Sequence, residues 1–311
     1  MTTATVTASS MTSKTKWIAV VTGGNKGIGF EICRQLASNG ITVVLTARDG
    51  KRGNDAVQKL QSFGLCDVVF HQLDVTDAAS IASLASFIEI NYGKLDILVN
   101  NAGVAGSVIN ADDSGFRRTI RPDMDVTEVA SSPVLKEFLY QTFESAETCL
   151  RTNYYGSKQV AKALIPLLQL SNSARIVNVS SSLGQLKAIP NERVRRVLGD
   201  IDGLTEEKVD KIVEEFLGDV KESLVESKGW PINYSAYIVS KATLNAFTRI
   251  LAKKYTTIVI SSVNPGYTST DLNHNSGVLS VEEGAKGPVM LALRDGGSSG
   301  LYYDRMEVSS F

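Results

Sequence analysis

A tyrosine and a lysine that could share a proton occur in NYSAYIVSK, residues 233–241. Tyr237 stands four residues before Lys241 and Tyr234 seven before it, and on a helix both offsets return to nearly the same face. A rise of about 1.5 Å per residue separates Tyr237 from the lysine by roughly 6 Å along the axis, and Tyr234 by roughly 10 Å. Tyr237 is therefore the candidate general acid. Because a nearby cation favours an ionised phenol, we expect Lys241 to lower its pKa.

A glycine-rich turn provides a second candidate site. TGGNKGIGF follows the first apolar run and contains Gly23, Gly27 and Gly29 in a GxxxGxG spacing. Residues without side chains let backbone N–H groups approach a pyrophosphate, and the N-terminus of the following helix adds a partial positive charge. The turn therefore predicts a dinucleotide site. Its candidate binding residues are Gly23, Asn25, Lys26, Gly27, Ile28 and Gly29.

The residue after the second predicted strand indicates which dinucleotide is bound. An acid at this position would bind the adenosine ribose 2′-hydroxyl, whereas the chain has Arg48, which can pair with a 2′-phosphate. Lys26 adds a positive charge on the same side. The two residues favour NADP over NAD, and the alternative is that Arg48 is a solvated loop residue.

Short apolar runs alternate with segments of helical period along the chain. This alternation predicts an α/β fold, a Rossmann-type doubly wound parallel sheet in a single domain over residues 17–311, after a disordered tail over residues 1–16. The predicted helices cover residues 30–39, 80–92 and 236–254. The predicted strands are WIAVVT, ITVVLT, DVVFHQL, LDILVN, RIVNVS, IVISSV and GLYYD.

Two insertions interrupt this alternation, over residues of about 105–135 and 187–229. The first is polar and is expected to be irregular. The second is charged and contains an amphipathic helix with Thr205 as its N-cap. The apolar stripe of this helix comprises Val209, Ile212, Val213, Phe216, Leu217 and Val220.

Composition excludes several classes of function. A formal charge of -1 and no basic block argue against nucleic acid or an acidic membrane as the main partner. No run of eighteen apolar residues is present, so no transmembrane helix is expected. Two histidines far from clustered acids or thiols predict no metal site. Three widely spaced cysteines predict reduced thiols in a cytoplasmic protein.

Six ordered motifs resemble those of the short-chain dehydrogenase/reductase family: LDV, NNAG, TNYYG, NVSSSLG, YIVSK and PGYTST. The resemblance covers residues 17–311. It implies that Asp74 and Val75 lie by the adenine and that residues 265–270 close over the nicotinamide. The further cofactor residues implied are Asn101, Ala102, Gly103, Tyr237, Lys241, Pro265, Gly266, Thr268 and Thr270.

The resemblance also implies a catalytic set of four residues. The family's serine lies three residues before the glycine of its SSxxG pattern, which points to Ser181. Ser181 would hold the carbonyl oxygen of a ketone while Tyr237 gives the proton. Lys241 would also bind the nicotinamide ribose, and Asn153 would hold a water connected to Lys241. Tyr234 would then line the substrate pocket or pack.

Within the family, the insertions resemble those of the branch that contains carbonyl reductase, menthone (neomenthol) reductase and salutaridine reductase. This implies NADPH-dependent reduction of a bulky hydrophobic terpenoid or alkaloid ketone. The alternatives are alcohol oxidation, reduction of a conjugated C=C bond, broad-range carbonyl detoxification and an inert NADP-binding sensor. The second insertion is expected to cover the surface that dimerises in other members. We therefore expect a monomer.

Overall fold

An eight-stranded sheet forms the centre of the computed structural model, which describes residues 16–109, 115, 119–121 and 123–311. The order is β10-β9-β8-β7-β4-β1-β2-β3, and all neighbours are parallel except β10, which pairs antiparallel with β9. A small antiparallel pair, β5 and β6, lies apart. The strands are β1 Ile18–Val21, β2 Thr42–Ala47, β3 Val68–Gln72, β4 Ile97–Asn100, β5 Val108–Ile109, β6 Leu139–Tyr140, β7 Arg175–Val179, β8 Val259–Asn264, β9 Tyr302–Asp304 and β10 Glu307–Ser309.

Helices cover both faces of the sheet, as predicted. Successive side chains of a strand point to opposite faces, so β1 sends Val20 into one apolar core and Val21 into the other. Residues 1–15 of the predicted tail lie outside the described residues. The helices are α1 Gly27–Ser38, α2 Gly50–Ser62, α3 Ala78–Tyr92, α4 Val126–Ser131, α5 Pro133–Lys136, α6 Phe143–Leu150, α7 Ser157–Leu168, α8 Glu192–Gly199, α9 Glu206–Lys221, α10 Ser235–Lys254 and α11 Val281–Leu293.

The predicted helix starts were late, and the first insertion is more regular than expected. α1 starts at Gly27, inside the glycine turn, and α3 starts at Ala78 because the Asp77 carboxylate caps it. The expectation of an irregular segment over residues 105–135 was wrong at its end. There α4 and α5 form behind the side-chain caps Asp125 and Ser132. These helices are too short to show a 3.6-residue period.

The amphipathic helix of the second insertion is α9, as predicted. The Thr205 hydroxyl accepts a hydrogen bond from Lys208 N at 3.3 Å. Four stripe residues are buried and two are partly buried, and α9 packs on α10 and α6. The buried stripe residues are Val209, Ile212, Val213 and Phe216, and the partly buried ones are Leu217 and Val220.

An ion pair between a buried lysine and a partly buried aspartate also joins α9 to α7. Lys158 Nζ donates to both carboxylate oxygens of Asp210, at 2.8 and 2.7 Å, and lies 3.3 Å from a Glu206 oxygen. The Tyr154 hydroxyl donates to Asp210 at 2.7 Å. The packing of α9 therefore combines burial of its apolar stripe with an ion pair in which the buried Lys158 ammonium needs an acidic partner.

No helix in the described part of the chain is long and apolar enough to cross a membrane.

Removing one member of this pair should destabilise the fold. Asp210→Ala leaves the buried Lys158 ammonium short of its main partner, so we expect a loss of about 3 kcal/mol in the free energy of unfolding. The double change Lys158→Met with Asp210→Leu should cost less, because no unpaired charge remains. Asp202→Ala breaks an exposed pair with Lys253 and should change stability by less than about 1 kcal/mol. Urea titration measures all three, and equal losses for Asp202→Ala and Asp210→Ala would contradict the argument.

Candidate active site

The Lys241 ammonium is buried where α10 passes the carboxyl end of β7. The residue is 4% exposed, and its Nζ donates to the carbonyl oxygen of Val179 at 2.8 Å. Its Nζ also lies 5.6 Å from the centre of the Tyr237 ring, one turn earlier. Burial lowers the pKa of Lys241 to about 8.

Tyr237 and Ser181 lie together on the wall of a cavity. Burial raises the pKa of Tyr237 to about 12, and the neighbouring Ser181 hydroxyl opposes that rise. The expectation of a lowered pKa was therefore wrong for this structure. Lys241 is the neighbouring cation, as predicted. Burial of the phenol nevertheless has the larger effect on the pKa of Tyr237, and Lys241 directs its hydrogen bond at Val179.

Tyr234 both lines the cavity and packs. It precedes α10 in a left-handed conformation with φ of 49°, and it contacts the cluster formed by Val129 and Leu135. Burial raises the pKa of its hydroxyl well above the ordinary value. Of the two tyrosines in residues 233–241, the structure therefore brings Tyr237 to Ser181.

Ser181 is held on both sides. Its hydroxyl oxygen accepts a hydrogen bond from Leu183 N at 3.2 Å, and its carbonyl oxygen accepts one from the Tyr302 hydroxyl at 3.1 Å. The neighbouring Ser180 hydroxyl is buried and has no hydrogen-bond partner among the described residues. Among the consecutive serines, the contact with Tyr237 belongs to Ser181. Sequence reasoning missed Tyr302, which lies far along the chain in β9.

Asn153 lies in a π-helical turn, Arg151–Gly156, between α6 and α7. Its Oδ1 accepts from Val104 N at 2.9 Å, while Nδ2 donates to Val104 O and to the Ser240 hydroxyl, each at 3.0 Å. A Cβ added at Gly103 would lie 3.3 Å from Asn153 Oδ1 and 3.7 Å from Lys241 Nζ. The side chain therefore fixes the backbone beside Lys241, and its proposed water contact stays a prediction.

The glycine turn packs tightly against the end of β4. Gly23 and Gly27 have φ of 64° and 56°, a region that side chains disfavour. A Cβ at Gly29 would lie 2.3 Å from Gly23 O and 2.4 Å from Asn101 Nδ2. The Thr22 hydroxyl accepts hydrogen bonds from the backbone N–H groups of Asn101 and Ala102, at 2.9 and 3.0 Å. Sequence reasoning missed Thr22, which joins the turn to β4.

A cleft of about 630 Å³ runs from Arg48 to Lys241. It is lined by every predicted cofactor residue except Gly266 and Thr268, which line the adjoining cavity. Burial opposes ionisation of Asp74, but hydrogen bonds from Thr76 and the charge of Arg48 hold its pKa below the usual value. Cations at one end and glycines along the floor fit a dinucleotide with a phosphate at its adenosine end.

An apolar cavity of about 210 Å³ adjoins the cleft at Ser180 and Tyr237, and Ser181 lines the cavity. The first insertion supplies much of its wall, whereas no described residue of the second insertion lines it. The insertion residues in the wall are Ala105, Ser107, Ile120, Arg121, Met124, Val126 and Val129. The described residues contain no cluster of histidines, cysteines and acids that could hold a metal ion.

Comparison with known proteins identifies the family. A model described as short chain dehydrogenase matches residues 17–192. The chain belongs to this family. It is 52% identical over 299 residues to salutaridine reductase of Papaver somniferum, with 94% of this chain and 96% of that protein covered. It is 51% identical over 300 residues to (-)-isopiperitenone reductase of Mentha piperita, with 92% and 96% covered.

Solved structures of the short chain dehydrogenase family share the fold. Salutaridine reductase from Papaver somniferum superposes with a TM-score of 0.86 at 51% identity, covering 93% of this chain and 99% of that one. Menthone neomenthol reductase from Mentha piperita gives 0.85 at 46% identity, covering 94% and 100%. The predicted family, branch, fold class and oxidoreductase class are confirmed.

A single added methyl group at Gly29 tests the packing of the glycine turn. Gly29→Ala forces the turn away from Asn101, so we expect a loss of about 1–3 kcal/mol in stability and loss of nucleotide binding. Gly218→Ala is the matched control, since a Cβ there has no atom within 4 Å. It lies within α9 and should gain roughly 0.5–1 kcal/mol. Thermal unfolding measures both, and a Gly29→Ala protein as stable as the native one would contradict the packing argument.

Proposed function

We propose that this enzyme reduces the ketone group of a bulky hydrophobic substrate, a terpenoid or an alkaloid, to a secondary alcohol with NADPH. The observation that carries the proposal is that Ser181 and Tyr237 lie together on the wall of an apolar cavity, beside the buried Lys241. The names of the relatives, salutaridine reductase and menthone neomenthol reductase, support reduction of this substrate class.

The proposed roles follow from the charge that develops on the carbonyl oxygen. NADPH, when bound, supplies the hydride that the carbonyl carbon gains. Leu183 N donates to Ser181 Oγ, so the serine's own proton remains available for a hydrogen bond that strengthens as the oxygen becomes negative. Tyr237 gives its phenolic proton to that oxygen. The Lys241 ammonium stabilises the resulting phenolate, and Asn153 holds the backbone beside it.

NADPH is the proposed cofactor because the adenosine end of the cleft is cationic. Arg48 is exposed there and Lys26 lies in the glycine turn. The nearby acid Asp49 caps α2, where its carboxylate accepts from Arg52 N at 2.9 Å. In NAD-binding proteins an acid binds the ribose 2′-hydroxyl, whereas here the Asp49 carboxylate is engaged as a helix cap. This supports binding of a 2′-phosphate over a 2′-hydroxyl.

The reaction is tested by product analysis. Purified enzyme would be assayed with NADPH on a panel of bulky cyclic ketones, some with a conjugated C=C bond, and the products separated by chiral chromatography. We expect secondary alcohols of one configuration. Recovery of saturated ketones alone would favour alkene reduction, and no turnover with any ketone would favour the inert sensor.

We also propose that the chain is one domain over residues 17–311, a monomer and a cytoplasmic protein. The monomer is supported by α9, which covers the outer faces of α10 and α6. Thiols free of disulfides at Cys33, Cys66 and Cys149 agree with a reducing compartment.

Replacing the proposed acid should stop the chemistry without weakening cofactor binding. Tyr237→Phe removes the proton donor, so we expect kcat to fall by about 10²–10⁴-fold while the Kd for NADPH stays within about twofold. Tyr234→Phe is the matched control and should keep most of kcat, since that ring packs and lines the cavity. Steady-state kinetics and fluorescence titration measure these values, and the reverse pattern would reassign the acid to Tyr234.

The rate of reduction should depend on the ionisation of Lys241. Its pKa of about 8 means that the ammonium is charged below pH 8 and neutral above it, whereas Tyr237, with a pKa of about 12, stays protonated. We therefore expect kcat/KM to fall as the pH rises through about 8. In Lys241→Arg, which stays charged, the fall should disappear at a lower overall rate. A flat native profile between pH values of about 7 and 9.5 would contradict this role.

A further inference from the structure

An ion pair crosses the mouth of the cofactor cleft. Lys26 Nζ, on the glycine turn, donates to Asp271 Oδ2 at 2.7 Å, and both side chains are more than half exposed. Asp271 begins a 3₁₀ turn, Asp271–Asn273, in the segment that follows residues 265–270. The hydrogen bond from Lys26 lowers the pKa of Asp271, and the charge of Arg52 contributes. The carboxylate is therefore ionised and lies among cations.

One of these cations, Lys26, also forms the proposed phosphate end of the cleft, together with Arg48. Lys26, Arg48 and Asp271 all line it. A monoester phosphate carries a charge of about -1.5 to -2 at neutral pH. A phosphate that approaches Lys26 must therefore share the ammonium with Asp271 or displace it, and it also meets repulsion from a like charge.

The ion pair is not needed to hold its segment. Thr270 N donates to Asn273 Oδ1 at 3.1 Å, and Asn273 Nδ2 donates to Thr268 O at 2.9 Å. Thr268 and Leu279 form a β-bridge that closes the base of the segment. Exposed ion pairs contribute little to folding. The Asp271 side chain thus changes the local charge of the cleft but contributes little to the backbone conformation of its segment.

We infer that Asp271 is an internal competitor for the cofactor's 2′-phosphate, which weakens binding of NADPH selectively. The inference rests on the proposed use of NADPH. A nucleotide without the 2′-phosphate does not compete for Lys26, so Asp271 reduces the preference that Arg48 and Lys26 create. Asp271 is therefore a specificity-determining residue whose effect on the preference for NADPH is opposite to that of Arg48 and Lys26.

Isothermal titration of adenosine 2′,5′-bisphosphate and 5′-AMP tests the inference without catalysis. In Asp271→Asn, we expect the bisphosphate to bind about two- to fivefold more tightly, as for loss of an exposed charge contact, with 5′-AMP unchanged. Glu282→Gln is the matched control. It removes an exposed acid near Arg34 that is not among the residues lining the cleft, and it should change neither value.

The outcomes separate the inference from the function on which it rests. Arg48→Ala should weaken the bisphosphate about ten- to a hundredfold. Native protein that binds the two nucleotides equally would overturn both the proposed cofactor and the inference. Where the native protein prefers the bisphosphate, weaker binding by Asp271→Asn would show that Asp271 positions Lys26 and would overturn competition. If Asp271→Asn bound both nucleotides more tightly by the same factor, or if Glu282→Gln gave the same gain in affinity for the bisphosphate, the effect would be one of overall charge. Either result would also overturn the inference.

Discussion

The burial of one ammonium group, that of Lys241, is the constraint on which the site depends. A charge taken out of water needs a hydrogen-bond acceptor, and Val179 provides one only because β7 ends beside α10. Gly103, three residues after β4, lies beside the ammonium. The carboxyl ends of two parallel strands and the start of one helix must therefore meet at one point. In a doubly wound sheet this point is where ligands bind.

The second insertion supports the site without forming its cavity. α10 is buried around almost its whole circumference from Ser235 to Thr248, so its side away from the sheet needs a cover. α9 supplies it with an apolar stripe and with the Lys158 ion pair. Because the cover comes from the same chain, the position of Tyr237 and Lys241 on α10 does not require a second subunit.

Sequence reasoning succeeded where the signal was local. The glycine turn, the strands and the one-turn spacing from Tyr237 to Lys241 can be read from neighbouring residues. The contacts of Thr22 with β4 and of Tyr302 with Ser181 arise only when distant segments meet. The pKa of Tyr237 was predicted in the wrong direction for a related reason. Spacing reveals a neighbouring charge, whereas burial depends on the whole fold.

The proposed cofactor cleft and the proposed substrate cavity share part of their walls, which limits how the two proposed specificities can vary separately. Thr270 and Leu272 line both spaces, as do Ile28 and Ser180. A substitution at these positions therefore acts on cofactor and substrate together. The wall built by the first insertion touches only the cavity. Changes of side-chain size there alter the cavity and leave the cleft lining unchanged, so we expect that wall to determine substrate selectivity.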